Sequence, residues 1–241
     1  MNRLFLTILL AILTFSFTLF SCEDDTDQKQ EAYGDVLSKS IIMGDSVVYG
    51  IYYYTYSWSR MQGVTVNRLN QTDYITLDSM DYRYTFVHNP TNSEFSTKKP
   101  KYGTFRFNVQ FENGDTVIVS DYLDSTFLKP VEYEEISFDV TDGQLKIDWK
   151  ESPLADTYRV ALIDEKNELA YQSDIIGHKQ SYFWLNMYTA GWQTNKQPKG
   201  GEKYRISVAA YQFEPVASSF DVQSISWNDT AKVVWTIFEE D

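Results

Sequence analysis

The sequence predicts an all-β protein built from two small β-sandwich domains. From about Val36 onward, apolar and aromatic residues come in short runs rich in Val, Ile, Tyr, Phe, Trp and Thr, separated by Gly, Asp, Asn and Pro. No stretch keeps apolar residues at i, i+3, i+4 and i+7 over three turns, so helix is expected to be minor. Strands that recur every 8 to 12 residues or so are typical of sandwiches.

The clearest local element is a β-hairpin. Its predicted strands are 104–111 and 116–122, and the Asn113-Gly114 pair between them supplies the positive φ angles of a tight turn. In the first strand the apolar residues alternate with polar ones, which predicts one buried face and one solvated face. The alternating apolar residues are Phe105, Phe107, Val109 and Phe111.

A domain boundary is expected near residue 130, where Lys129-Pro130 ends the first block of strands. By its strand spacing, the first domain, residues 35–130, is expected to be an immunoglobulin-like β-sandwich. The second domain is expected to span residues 131–241.

The second domain resembles a fibronectin type III domain. The resemblance rests on a Trp that ends one strand, a Tyr-x-Val that opens the next, and a Tyr-x-x-x-Val-x-Ala run later in the chain. The residues that match the core positions of that family are Trp149, Tyr158, Val160, Tyr204, Ile206, Val208 and Ala210. The sequence departs from the family pattern at Pro198 and in a long segment from Asn186 to Lys199. The resemblance implies a packing role for the matching residues.

The N-terminus has the pattern of a secretory signal peptide. Asn2 and Arg3 precede an uncharged apolar run, residues 4–20, which is followed by small residues. A transmembrane anchor is the alternative, because the run reaches the lower limit of about 17 residues for spanning a bilayer.

Cys22 is the only cysteine of the chain. The sequence Leu19-Phe20-Ser21-Cys22 resembles the bacterial lipobox. This resemblance implies that residues 1–21 are a lipoprotein signal peptide, and that lipid on Cys22 anchors the protein in a membrane. Plain secretion and an uncleaved anchor are the alternatives.

An acidic tether, residues 22–34, is expected to follow. Its polar residues cannot bury enough apolar surface to offset the entropy of ordering, which predicts disorder. The run from Glu23 to Asp27 resembles the acidic stretch that directs Bacteroidetes lipoproteins to the outer face of the outer membrane. The expected localisation is therefore the outer membrane, lipid-anchored, at the cell surface.

Composition excludes several classes of function. A formal net charge of −13 repels phosphate backbones, so no nucleic acid partner is expected. With Cys22 acylated, no thiol is left for a disulfide, a nucleophile or a thiolate zinc site.

Few residues suggest catalysis. The two histidines, His88 and His178, lie in different predicted domains beside turn residues, and the sequence has no recognised hydrolase or metalloprotease motif. We therefore expect no enzyme activity, no metal and no cofactor. Paired carboxylates of the glycosidase type cannot be recognised from sequence alone.

The segment from Tyr49 to Trp58 is the strongest candidate for a binding site. Its period of two places Tyr49, Ile51 and Tyr53 on one face. The other face carries Tyr52, Tyr54, Tyr56 and Trp58. A sandwich strand has one core side, so one row must be covered by the other domain, by side chains of a neighbouring strand, or by a ligand. Tyr and Trp suit a sugar ring.

The second candidate is the segment 186–197, where Tyr188 and Trp192 lie near Gln193 and Asn195. Long loops without secondary structure are often functional, and aromatic and amide side chains together suit carbohydrate. The alternative is that Trp192 folds back and caps the open end of the sandwich.

The anchor, the tether and the aromatic content predict a non-catalytic outer-membrane or cell-surface lipoprotein. We expect it to bind a glycan or a partner protein as an accessory to nutrient uptake. The alternative is a structural or adhesion protein that uses its sandwiches as spacers or assembly units. A hydrolase with an unrecognised site is a third possibility.

Overall fold

The protein is all-β, as the sequence predicts. The structure, a computed structural model, describes residues 30–215 and 221–236. The signal peptide, Cys22 and the tether as far as residue 29 lie outside the described residues. Regular structure begins at Tyr33, two residues before the predicted start of the first domain at residue 35. No helix in the described part of the chain has the length and hydropathy to cross a membrane.

The strands of the described residues fall into three sheets. Those of the first half are β1 (Tyr33–Met43), β2 (Ser46–Tyr56), β3 (Met61–Arg68), β4 (Ile75–Thr76), β5 (Asp78–Met80), β6 (Thr85–His88), β7 (Gly103–Phe111) and β8 (Thr116–Leu123). Those of the second half are β9 (Tyr133–Asp139), β10 (Gln144–Trp149), β11 (Thr157–Asp164), β12 (Leu169–Gln172), β13 (Ile176–Gly177), β14 (Tyr182–Leu185), β15 (Lys203–Phe213) and β16 (Val222–Val234).

One large sheet runs through both halves of the chain, in the order β12-β11-β15-β16-β1-β2-β6-β5, with β13 paired to β11. The first strand and the last strand meet in its middle, where β1 pairs with β16 in parallel, Ser38 opposite Ser224. No local pattern in the sequence predicts this pairing. Two smaller sheets, β4-β3-β7-β8 and β14-β10-β9, complete the fold.

The first core lies between the inner face of β1-β2-β6 and the sheet β4-β3-β7-β8. It contains the alternating residues of the predicted hairpin, Phe105, Phe107, Val109 and Phe111, all buried. The hairpin is confirmed as β7 and β8. Its turn differs in one detail, because only Gly114 has a positive φ, of 94°. The Gly114 N–H donates to the Phe111 carbonyl.

The second core lies between the other half of the large sheet and the sheet β14-β10-β9. The seven residues matched to the fibronectin type III core are all buried in it. Trp149 and Tyr158 form an edge-to-face pair with ring centroids 5.4 Å apart, which confirms the predicted packing role.

A polar seam separates the two cores on the inner face of the large sheet. Ser38 Oγ donates to Ser224 Oγ at 2.6 Å, and Ser224 Oγ also accepts the Leu128 N–H at 3.0 Å. Ser40 Oγ donates to the Leu128 carbonyl at 2.9 Å, and the Asn228 amide donates to the Val131 carbonyl at 2.8 Å. These bonds fix the linker between β8 and β9 across β1 and β16.

The described residues from Ala32 onward cluster as one compact unit, because the large sheet passes through both cores. Residues up to 127 build the first core, and residues from 128 build the second. The predicted division into two domains near residue 130 stays a prediction.

Candidate functional site

The two faces of β2 have different surroundings. On the inner face, Tyr49 and Tyr53 are buried in the first core. On the outer face, Tyr52, Tyr54 and Tyr56 are half-buried, and Trp58, just beyond the end of the strand, is 83% exposed. The outer face is the one that the sequence marked as a candidate binding surface.

The outer rings contact each other. Tyr33 of β1 lies opposite Tyr56 and stacks on it, with centroids 4.8 Å apart and planes 13° from parallel. Tyr56 also contacts Tyr54 at 5.9 Å and, edge to face, Trp58 at 6.5 Å. We call Tyr33, Tyr52, Tyr54, Tyr56 and Trp58 the outer aromatic row. Sequence reasoning missed Tyr33, because its place in the row depends on the register of β1 with β2.

The far end of this outer face is covered by the protein itself. Near Gly50, the backbone is contacted by Pro90 and Phe95. Lys39 lies 4.3 Å from the centroid of Trp227 and donates to Asn89 Oδ1 at 2.8 Å. Burial lowers the pKa of Lys39 to about 8. Covering by neighbouring side chains therefore explains this end of the face, whereas among the described residues the Trp58 end is open.

A cluster of carboxyl groups lies beside the outer aromatic row. Asp35 of β1 pairs with Tyr54 in the register, and its side chain lies close to Asp121 and Glu214. One oxygen of each carboxyl group lies within 4.8 Å of the others, close enough for the three to bind one metal ion. Asp121 Oδ2 also accepts the Val36 N–H at 2.7 Å, which ties β8 to β1. The sequence did not reveal this cluster, because its members are far apart in the chain.

The cluster holds a proton on Asp35 at neutral pH. Burial, followed by the charges of Asp121, Glu214 and Asp221, raises the pKa of Asp35 to about 8. Burial also raises the pKa of Asp121 and of Glu214. Asp35 is therefore protonated at pH 7, and its hydroxyl is a hydrogen-bond donor among carboxylates. The cluster also acts electrostatically on the outer aromatic row. Burial, followed by the charges of Tyr54 and Asp35, raises the pKa of Tyr52.

The segment 186–197 has one inward ring and one outward ring. Trp192 packs against the second core, 5.1 Å from Tyr171 and 5.5 Å from Trp235, and its indole N–H donates to the Asn186 carbonyl at 3.0 Å. Trp192 thus has the capping role that the sequence left open, and we exclude it from the binding surface. Tyr188 is 85% exposed.

Other polar residues of this segment are held in place or exposed. Lys196 forms an ion pair with Asp164 at 2.6 Å, which fixes the end of the segment to β11. Gln193 and Asn195 are exposed, and they do not join the outer aromatic row.

The histidines are not brought together. His88 Nε2 lies 2.9 Å from Glu94 Oε1, and Thr91 Oγ1 donates to the other oxygen of the same carboxylate. Hydrogen bonds from Thr91, and the hydrogen bond and charge of His88, lower the pKa of Glu94 against the opposing effect of burial. This arrangement organises the loop after β6. His178 is exposed.

Comparison with known proteins gives no family. No family model matches the sequence. No curated protein matches it either.

Solved structures offer remote similarities only. They include the FN1–FN3 domains of chicken CNTN1, with TM-score 0.36 and 10% identity. The similarity covers 77% of this chain and 62% of the CNTN1 chain. A DUF3823 family protein from Bacteroides uniformis has TM-score 0.33 and 10% identity over 84% of this chain and 99% of its own. A tetra-tandem repeat from the extending region of a large adhesion protein has TM-score 0.25 and 14% identity over 86% of this chain and 50% of its own. These scores are too low for an argument about function.

Proposed function

We propose that this chain is a lipid-anchored protein of the outer membrane, displayed at the cell surface, that binds a glycan without chemical change as an accessory to nutrient uptake. The observation that carries the proposal is the open end of the outer aromatic row, where the exposed Trp58 contacts Tyr56. Aromatic side chains on a rigid strand present a flat apolar surface to a pyranose ring, while hydroxyl and indole N–H groups reach its hydroxyls. The protonated Asp35 and its carboxylate neighbours add donors and acceptors beside the rings.

Affinity gels test the binding. The chain from Glu23 to Asp241 contains the whole compact unit and would be run through gels containing xyloglucan, mannan, inulin or starch. We expect one polysaccharide to retard it, and Tyr56→Ala and Trp58→Ala to lose at least tenfold in affinity. Tyr102→Ala removes an exposed ring elsewhere and serves as the matched control. Absence of retardation in every gel would overturn the proposal.

The anchor has a separate test. In a Gram-negative host that processes lipoproteins, the full chain should incorporate radiolabelled palmitate and sediment with outer membranes. Cys22→Ser should abolish both the label and the membrane association. An unlabelled but membrane-bound Cys22→Ser variant would point instead to an uncleaved anchor.

The carboxyl cluster makes the non-catalytic part of the proposal testable. Asp35 and Asp121 are close enough to resemble the paired acids of glycosidases, so the protein should be incubated with the retained polysaccharide. We expect no release of reducing ends. Release that disappears in both Asp35→Asn and Asp121→Asn would show that the protein is a hydrolase.

One observation favours the alternative of an assembly unit. β8 is the edge strand of its sheet, and Ile118 and Tyr122 on its outer side are exposed. Exposed edges with apolar side chains favour pairing with another chain. In that case the protein would self-associate in sedimentation experiments, and Ile118→Lys would restore the monomer.

A further inference from the structure

A second exposed aromatic surface lies on the small sheet of the second core. Along β14 the side chains alternate, with Phe183 and Leu185 toward the core and Tyr182 and Trp184 outward. Tyr182 is 50% exposed and Trp184 is 45% exposed. Residues two apart on a strand are separated by about 7 Å, so the two rings are neighbours on one face.

A third ring follows at the end of the strand. Asn186 Oδ1 accepts the Tyr188 N–H at 2.9 Å and the Thr189 hydroxyl at 3.1 Å, which closes a tight turn. The base of this turn is fixed to the core, because the Asn186 carbonyl accepts the indole N–H of Trp192. Tyr188 is thus held out in solvent by a rigid support. We call Tyr182, Trp184 and Tyr188 the β14 aromatic patch.

Polar groups adjoin the patch on the neighbouring strands. Lys146 is the cross-strand partner of Trp184, and its Nζ lies 5.8 Å from the ring centroid. The same ammonium group lies 2.6 Å from Asp148 Oδ2 and 2.7 Å from Glu135 Oε2. Hydrogen bonds to Asp148 and Glu135 raise the pKa of Lys146, and the hydrogen bond from Lys146 lowers the pKa of Glu135. Lys146 and Glu135 therefore stay charged at neutral pH, and the ion pairs hold Lys146, Asp148 and Glu135 in a fixed arrangement.

The combination of aromatic rings and fixed charges favours a sugar chain over a protein as the ligand of the patch. A protein partner docked on the patch would bury the ionic triad of Lys146, Asp148 and Glu135, and taking charges out of water is costly. A sugar chain can stack on the rings while its own hydroxyls hydrogen-bond to the ammonium and carboxylates. We propose that the β14 aromatic patch is a second glycan-binding site, which rests on the proposed function of the chain.

The two sites lie on different sheets of the compact unit. Both cores pack on the inner face of the large sheet, and the sheet β14-β10-β9 closes the second core from the other side. The outer aromatic row lies on the outer face of the large sheet and the β14 aromatic patch lies on the outer face of the small sheet, so the two surfaces are separate. One molecule would bind two glycan chains at once and bridge them.

Isothermal titration calorimetry tests this arrangement. The probe is a hexasaccharide of whichever polysaccharide, xyloglucan, mannan, inulin or starch, retards the unmodified protein in gels. We expect a stoichiometry of two for the unmodified chain, one for Trp184→Ala combined with Tyr188→Ala, one for Tyr56→Ala combined with Trp58→Ala, and none for the fourfold variant. Trp184→Phe keeps a ring and should keep the second site.

Bridging gives an independent readout. The unmodified protein should make a solution of the same polysaccharide turbid, whereas each double variant should bind without turbidity. A stoichiometry of one that the Trp184 and Tyr188 changes leave unaltered would overturn the second site and leave the proposed function standing. Failure of the unmodified protein to bind any of the polysaccharides would overturn both. Circular dichroism spectra identical to that of the unmodified protein exclude misfolding of the variants.

Discussion

The inner and outer faces of the large sheet differ in what covers them. The inner face carries both cores, and Ser38, Ser40, Ser224 and Asn228 near its centre are hydrogen-bonded in the seam. Near the open end of the outer face, Tyr56 stacks on Tyr33 and touches Trp58, which is left to solvent. In sequence, both faces of β2 are aromatic. The burial of the aromatic side chains of β2 therefore depends on which sheet packs against each face, and not on the composition of the strand itself.

The largest contrast between the faces concerns Tyr53 and Tyr54, neighbours in β2. Tyr53→Ala should lower the free energy of unfolding by about 3–5 kcal/mol, because it leaves a cavity beside Phe105 and Phe107 in the first core. Tyr54→Ala should cost less than about 1 kcal/mol. Urea unfolding followed by circular dichroism measures both, and equal losses would contradict the assignment of the two faces.

The next effect is a dependence on pH at the outer face. The pKa of Asp35 is about 8 in the folded protein and near 3.8 when unfolded, so the folded state binds a proton that the unfolded state has already lost. This proton's contribution to stability is complete below about pH 4 and is lost as the pH rises toward 8. The neighbouring carboxyls of Asp121 and Glu214, also with raised pKa, act in the same direction.

Asp35→Asn removes this titration. We expect the variant to exceed the unmodified protein in stability by about 1–2 kcal/mol at pH 8, a discounted value because the cluster is partly solvated, with the gap closing toward pH 5. Unfolding curves recorded between pH 5 and 8 measure the gap. A constant difference across that range would show that Asp35 does not titrate there.

A smaller effect is expected in the seam of the inner face. Ser224→Ala removes the acceptor of the Leu128 N–H and of the Ser38 hydroxyl, and should lower the free energy of unfolding by about 1–2 kcal/mol. Ser226 provides a matched control, because its hydroxyl is equally buried and has no hydrogen-bond partner among the described residues. Ser226→Ala should be neutral or slightly stabilising. Equal losses at the two positions would mean that the seam adds no stability.

The smallest effect is expected at Trp58. Because its ring is 83% exposed, Trp58→Ala should change the free energy of unfolding by no more than about 0.5 kcal/mol. The same urea titrations measure it. A loss above 2 kcal/mol would show that the ring is needed for folding.

Local patterns predicted much of the fold. The period of two in β7 located half of the first core, and the Trp149 and Tyr158 positions located much of the second. The alternation of apolar and polar residues predicts burial in these strands because one face of the strand packs against a second sheet. Whether a residue has an odd or an even position in the strand therefore decides whether it is buried. The same rule separated Tyr53 from Tyr54, but it could not say which of two aromatic faces would be the inner one.

Features built by distant segments were not predicted. Pairing of β1 with β16 joins residues whose separation leaves no local signal, and Tyr33 and the Asp35 cluster depend on such pairings. Tyr182 and Trp184 were also missed, because a four-residue strand offers only two outward positions. Trp192 had the right residue type for a binding site, but the shape of the core decided its role.

The order of synthesis gives the central pairing of the large sheet a kinetic meaning. Of the described strands, β1 leaves the ribosome first and β16 last, and Ser38 and Ser224 are 186 positions apart in the chain. Until β16 arrives, one edge of β1 has no strand beside it, and the second core lacks a wall. Contacts between such distant residues form slowly, because a long loop must close before they are made. The unpaired edge of β1 therefore stays exposed until almost the whole chain has been synthesised. A chaperone that shields β1 should raise the yield of folded protein.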